Sequence, residues 1–186
     1  MRTALVAIWL LALALIAVHE AEARTVVWPD PAPRAHLYQV WVNESLMPTP
    51  DGVVRVHTGP DRCGGQRERQ PLGCAGSDGT VSLVKPWRHV FLHELGHIFD
   101  SWHLTDAQRR WFTRELRFPA DTEWRPFNVP AWQSPSEMFA TAYEECAYSP
   151  LWHLWTVTPF GFAERLFYRR QIARLCLGIK RVGGAA

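Results

Sequence analysis

The sequence predicts an α+β chain in which a small mixed sheet packs on one buried helix and the C-terminal half is helical. Three observations carry this expectation. Strand-like runs at 37–42, 53–58 and 80–84 all precede residue 85. Helical patterns with start signals follow, at 90–102, 105–118, 134–147 and 160–177. Between the two halves, Val90–Trp102 is apolar on most sides yet carries His93, Glu94, His97 and Asp100.

Residues 1–23 have the layout of a secretory signal peptide, with a short charged start, an apolar run from Ala4 to Val18 and Ala21-Glu22-Ala23 as the cleavage site. The run is short for a membrane span, and no second one follows, so no transmembrane segment is expected after cleavage. Residues 24–186 then form a single domain, large enough for its own core. Loss of Arg2, Glu20 and Glu22 moves the formal charge from +2 to +3. That is too mild, and too evenly spread, to imply nucleic acid as a partner.

In chain order, Arg24–Arg34 is Pro-rich and reads as an extended lead-in. The alternation over Leu37–Val42 predicts a first strand, and the turn Pro48-Thr49-Pro50-Asp51-Gly52 leads to a second at Val53–Thr58. Ser77-Asp78-Gly79 turns into a third at Thr80–Val84, expected at the sheet edge, where an extended peptide can pair with it. Pro86 suits the first turn of the next helix. Thr105 and Gln108 form a capping-box pattern opening a helix to about Phe118. Pro119–Pro135 is a long Pro- and Trp-containing loop, as a cleft wall would be. Ser134, Pro135 and Glu137 then open another helix that reaches Cys146 or Ala147. A last amphipathic helix runs roughly from Phe160 to Leu177, stopped by Gly178, before a loose tail.

The four cysteines lie after the cleavage site. Cys63 and Cys74 bracket a Gly-rich charged loop, so they are expected to pair, leaving Cys146 with Cys176. A four-cysteine zinc site would want a C-x-x-C knuckle, which the spacing lacks. Disulfides and a signal peptide together predict a secreted, extracytoplasmic protein.

His93-Glu94-x-x-His97 places two imidazoles one turn apart on one helix face, the spacing of two corners of a zinc site. Glu94 projects about 100° away, where it can reach a water on the metal without binding the metal. The competing reading is a polar helix face with two ordinary histidines. Buried flanks Leu92, Leu95, Ile98 and Phe99 disfavour it, because polar groups on a buried helix need a partner. His89 lies one turn too early and reads as a surface or supporting histidine.

Two residues compete as third ligand. His103 completes a metzincin-like spacing, but that pattern wants Gly where Asp100 stands, and no Met-turn follows. Glu137 reads equally as a capping-box residue. It also begins a helix whose small residues, Ala140 and Ala142, allow close approach to the histidine helix.

H-E-L-G-H-I-F-D, followed by S-E-M-F-A-T-A-Y about forty residues later, resembles the zinc peptidases related to anthrax toxin lethal factor and the Pro-Pro endopeptidases. That group reads roughly H-E-x-G-H-x-x-D and then E-x-F-A-E-A-F. The resemblance covers about a third of the chain, residues 89–147. It implies a zincin-like fold and a gluzincin-type site holding one zinc ion through His93, His97 and Glu137. Glu94 would be the general base, and Asp100 a carboxylate that orients a ligand histidine by accepting its other N–H. Two departures bear on transition-state stabilisation: no Tyr stands upstream of Glu137 in Asn128–Trp132, and Thr141 replaces the second acid. Tyr143 is the candidate oxyanion donor, against a plain role in the core.

The expected activity is therefore a secreted HExxH zinc metalloendopeptidase acting on peptide or protein substrates. The alternatives are a catalytically weak or inactive zinc-stabilised binding module, a metzincin-type site through His103, and a metal-free disulfide-stapled structural protein.

Overall fold

The computed structural model describes residues 25–30, 35–59, 63, 72–126, 129–147 and 162–184. The expected signal peptide, most of the Cys63–Cys74 loop and the Trp-rich stretch after Pro150 lie outside them.

Four strands form one mixed sheet in the order β1-β2-β4-β3. β1 (Val26–Asp30) pairs in parallel with β2 (Val53–Thr58), and β2 in parallel with β4 (Thr80–Leu83). β3 (Gly73–Ala75) closes the other edge antiparallel to β4, with Gly73 opposite Leu83. Val54, Val56, Val81 and Leu83 are fully buried and, with Val27 of β1, form the sheet's share of the core.

The Pro-rich lead-in thus contains an edge strand, a position where Pro29 costs no ladder hydrogen bond that the sheet needs. The expected strand at 37–42 is instead helix α1 (Ala35–Asn43). A parallel β1–β2 pair cannot be joined by a hairpin, and α1 supplies the crossover. Its buried residues, Tyr38 and Val42, stand one helical turn apart, and Tyr38 packs with Trp41 and Phe91 at ring separations of 5.3 and 5.1 Å. The second and third strands lie where expected, but β4 is internal. The edge belongs to β3, which at three residues is too short to leave an alternating pattern.

Helix α2 (Arg88–His103) is capped by Trp87, so Pro86 precedes the helix rather than opening it. Phe91, Leu92, Leu95, Ile98 and Phe99 are fully buried along α2. Helix α3 (Asp106–Glu115) has the expected Thr105/Gln108 capping box but ends before Phe118, where Arg117 takes a left-handed φ of 61°. A short 3-10 turn at Ala131–Gln133 interrupts the long loop. Helix α4 (Pro135–Ala147) then crosses α2, with the Ser134 hydroxyl accepting from the Glu137 backbone N–H. Helix α5 (Phe162–Gly183) runs straight through Gly178, where a Cβ would meet the Trp111 ring at 2.5 Å. That glycine therefore serves close packing and does not stop the helix.

Both expected disulfides are present. Cys63–Cys74 fastens the loop to β3, and Cys146–Cys176 joins α4 to α5. No helix among the described residues is long and apolar enough to cross a membrane. The chain is thus α+β, with a small mixed sheet against α2 and helices filling the C-terminal half.

Candidate metal centre

Position 96 decides the geometry of the centre. A Cβ built on Gly96 would stand 3.0 Å from Tyr143 Cβ and 3.1 Å from Ala140 Cα, so α4 crosses almost on the backbone of α2. This close approach brings the first turn of α4 over the His93/His97 face. Glu137 Oε2 lies 3.3 Å from His93 Nε2, and its Oε1 lies 3.4 Å from His97 Nε2. The two imidazoles stand 5.0 Å apart, nearly perpendicular. The three donor atoms fall within 4.8 Å of one another, a cluster that can hold a metal ion.

The electrostatics fit a cation. Three carboxylates, Glu94, Glu137 and Glu144, surround the two imidazoles. Burial alone would lower the His93 pKa, yet Glu137 and Glu144 together hold it up at about 10. Burial would raise that of Glu137, but His93 and His97 keep it well below the usual carboxylate range. Two nitrogens and one carboxylate oxygen are a donor set that zinc accepts.

Glu94 lies beside this cluster without belonging to it, and is only 5% exposed. Burial raises its pKa above the ordinary glutamate value; the neighbouring His93 and His97 oppose that shift. A Cβ on Gly73 would come within 2.7 Å of Glu94 Oε1, so β3 passes directly over the carboxyl. β3, Glu94, His97 and Glu137 line an open cleft of about 780 Å³, together with Arg125–Pro126 and Val129–Ala131 from the long loop. The long loop is therefore a cleft wall, as expected.

The remaining candidates go elsewhere. Asp100 is fully buried, but its partners are Arg109 Nε at 2.8 Å, Trp124 Nε1 at 2.9 Å and Arg125 Nη2 at 2.6 Å, not a histidine ring. It anchors the cleft-wall loop and α3 to α2. The carboxylate facing the outer nitrogen of a candidate ligand histidine is Glu144, 3.7 Å from His93 Nδ1. Glu144 lies seven residues after Glu137, two turns along the same face, and that spacing was the signal that could have found it. Tyr143 is fully buried and donates its hydroxyl to the Pro48 carbonyl at 2.8 Å, which places it in the core and not as an oxyanion donor. His103 accepts from the Asp51 N–H at 3.2 Å, since α2 continues past Asp100 without the turn a metzincin-type site requires. His89 stacks on Trp87 at the surface.

No family model matches the chain, and neither a curated protein nor a solved structure matches it.

Proposed function

We propose that the chain is a zincin-like, zinc-dependent peptidase whose ion is held by His93, His97 and Glu137. The observation that carries this reading is the convergence of those three donors beside a buried glutamate that is not one of them. When bound, zinc polarises the scissile carbonyl and lowers the pKa of a water to about 7. Glu94 takes a proton from the attacking water and delivers it to the leaving amine. Its burial, which favours the protonated form, suits that second half of the task. β3 rather than β4 is the strand for an extended substrate, because it is an edge strand and its three residues line the cleft. The disulfides, and the lack of a spanning helix among the described residues, are compatible with an extracellular protein. Secretion is part of the proposal.

A second reading, a zinc-stabilised binding module of little or no activity, draws on Tyr143, whose hydroxyl is committed to Pro48. Turnover of a quenched peptide library by the zinc-loaded protein separates the two. The peptidase reading expects cleavage that Glu94→Gln abolishes. A zinc-loaded wild type that cleaves nothing supports the module.

A further inference from the structure

Glu137 reaches the two imidazoles from the first turn of α4, and its carboxylate has no other partner among the described residues. Its place over His93 and His97 therefore depends on how the start of α4 is held. We propose that Trp124 is the positioning residue for this ligand, tethering the start of α4 to Asp100 of α2, an inference that rests on the zinc reading.

The crossing at Gly96 fixes a point on α4 but not the angle of the helix. Its contacts, Ala140 and Tyr143, come three and six residues after Glu137. At about 1.5 Å per residue, Glu137 stands roughly 5–9 Å beyond the pivot, so a swing of about 10° moves it by about 1 Å. Metal–ligand distances tolerate only about 0.2 Å, so the two helices need a second link. The disulfide Cys146–Cys176 does not provide it, since it holds the far end of α4 to α5 and not to α2.

Trp124 provides that link with its two ends. Its indole Nε1 donates to Asp100 Oδ2 at 2.9 Å, and its carbonyl accepts the Ser136 N–H at 3.0 Å. Asp100 comes three residues after His97, and Ser136 immediately before Glu137, so the tether joins the helices beside the ligands themselves. The Trp124 ring also packs on Phe139 of α4, with centroids 5.9 Å apart. The Asp100 end is firm, because that carboxylate is fully buried and also accepts from Arg109 at 2.8 Å and Arg125 at 2.6 Å. Asp100 thus acts on the metal centre at one remove, through the third ligand and not through a histidine ring. Groups that orient a ligand by direct contact are worth about 10–100-fold in metal affinity, and a tether acting through the backbone belongs at the lower end.

Trp124→Phe removes the indole N–H while keeping a ring against Phe139. We expect it to bind zinc about tenfold more weakly in chelator competition. Trp124→His, whose Nε2–H can take the place of the indole Nε1–H, should recover part of that loss. In metal-free protein, amide exchange at Ser136 should be faster in Trp124→Phe than in wild type. Val54→Ala, a cavity in the sheet core away from α4, serves as the control: it should lower stability by as much or more and leave zinc affinity within about twofold. Undiminished zinc affinity in Trp124→Phe, or an equal loss in Val54→Ala, overturns the proposal. If the wild type binds no zinc, the zinc reading has failed. Exchange at Ser136 then decides the tether separately, and a rate unchanged by Trp124→Phe refutes it.

Discussion

Substituting Gly96 by Ala sets two effects of opposite sign against each other. Within a helix, Gly→Ala is favourable by about 0.5–1 kcal/mol, because glycine loses more backbone freedom on folding. Here the new methyl would stand 3.0 Å from Tyr143 Cβ and 3.1 Å from Ala140 Cα. Ordinary contact begins several tenths of an ångström further out, so α2 and α4 must separate. Neither neighbour yields easily. Ala140 meets the methyl with its backbone, and Tyr143 is fully buried and tied to Pro48. Overpacking of this kind costs about 1–3 kcal/mol, so the clash wins by about 1 kcal/mol. For a domain of this size that lowers Tm by about 2–4 °C. The same separation draws Glu137 away from His93 and His97, so zinc affinity should fall about tenfold. Urea denaturation of metal-free protein measures the first effect, and competition with a chromophoric chelator the second. A Gly96→Ala protein as stable as wild type, with undiminished zinc affinity, would refute the claim that this crossing builds the site.

Three further substitutions test separate parts of the structure. Glu94→Gln should retain close to one zinc per chain by metal analysis while losing peptide hydrolysis, since Glu94 stands outside the donor cluster. Asp100→Ala strands two guanidiniums and an indole N–H that now share one buried carboxylate. It should cost about 3–5 kcal/mol in denaturant unfolding, and a loss below 1 kcal/mol would show the anchor to be dispensable. Replacing Cys146 and Cys176 together by Ser opens a cross-link spanning 30 residues. Chain-entropy reasoning puts the loss at about 3–4 kcal/mol, readable as a lower denaturation midpoint.

What could be read from the sequence follows which interactions are local. His93, Glu94 and His97 were legible because one helix fixes their relation, and so were the Thr105 and Ser134 helix starts, which depend on neighbours three residues away. Helix α1 was misread because Val40, Trp41 and Val42 favour strands, and the reason for a helix there is the parallel pairing of β1 with β2. β3 left no signal, since three residues held by β4 and a disulfide need no pattern of their own. Asp100 was assigned to a histidine by its place on α2. Its true partners arrive from α3 and from a loop some 25 residues on, which spacing along one helix cannot report. Gly96 was visible only as a letter of the motif, and its meaning depends on Ala140 and Tyr143 across the crossing.

The assignment of ligands rests finally on a ranking of three acidic or imidazole groups by their effect on zinc. Glu137 reaches both Nε2 atoms, at 3.3 and 3.4 Å, so removing it takes away one of three protein donors. Glu144 stands behind the site, 3.7 Å from His93 Nδ1. Its carboxylate attracts the ring proton on the side away from the metal, and so favours the ring orientation that presents Nε2. Partners of that kind are worth about 10–100-fold in metal affinity, and the long separation puts Glu144 at the lower end. His103 is occupied with Asp51 and should contribute nothing. Chelator competition on Glu137→Ala, Glu144→Gln and His103→Ala should therefore give a loss of several orders of magnitude, a loss of about tenfold, and no change. As a capping residue alone, Glu137 would be worth no more than about 1 kcal/mol of helix stability, and its removal would leave zinc in place. Zinc retained in Glu137→Ala and lost in His103→Ala would mean that α2 turns at Asp100 in the loaded protein, and that the donor cluster described here is not the metal centre.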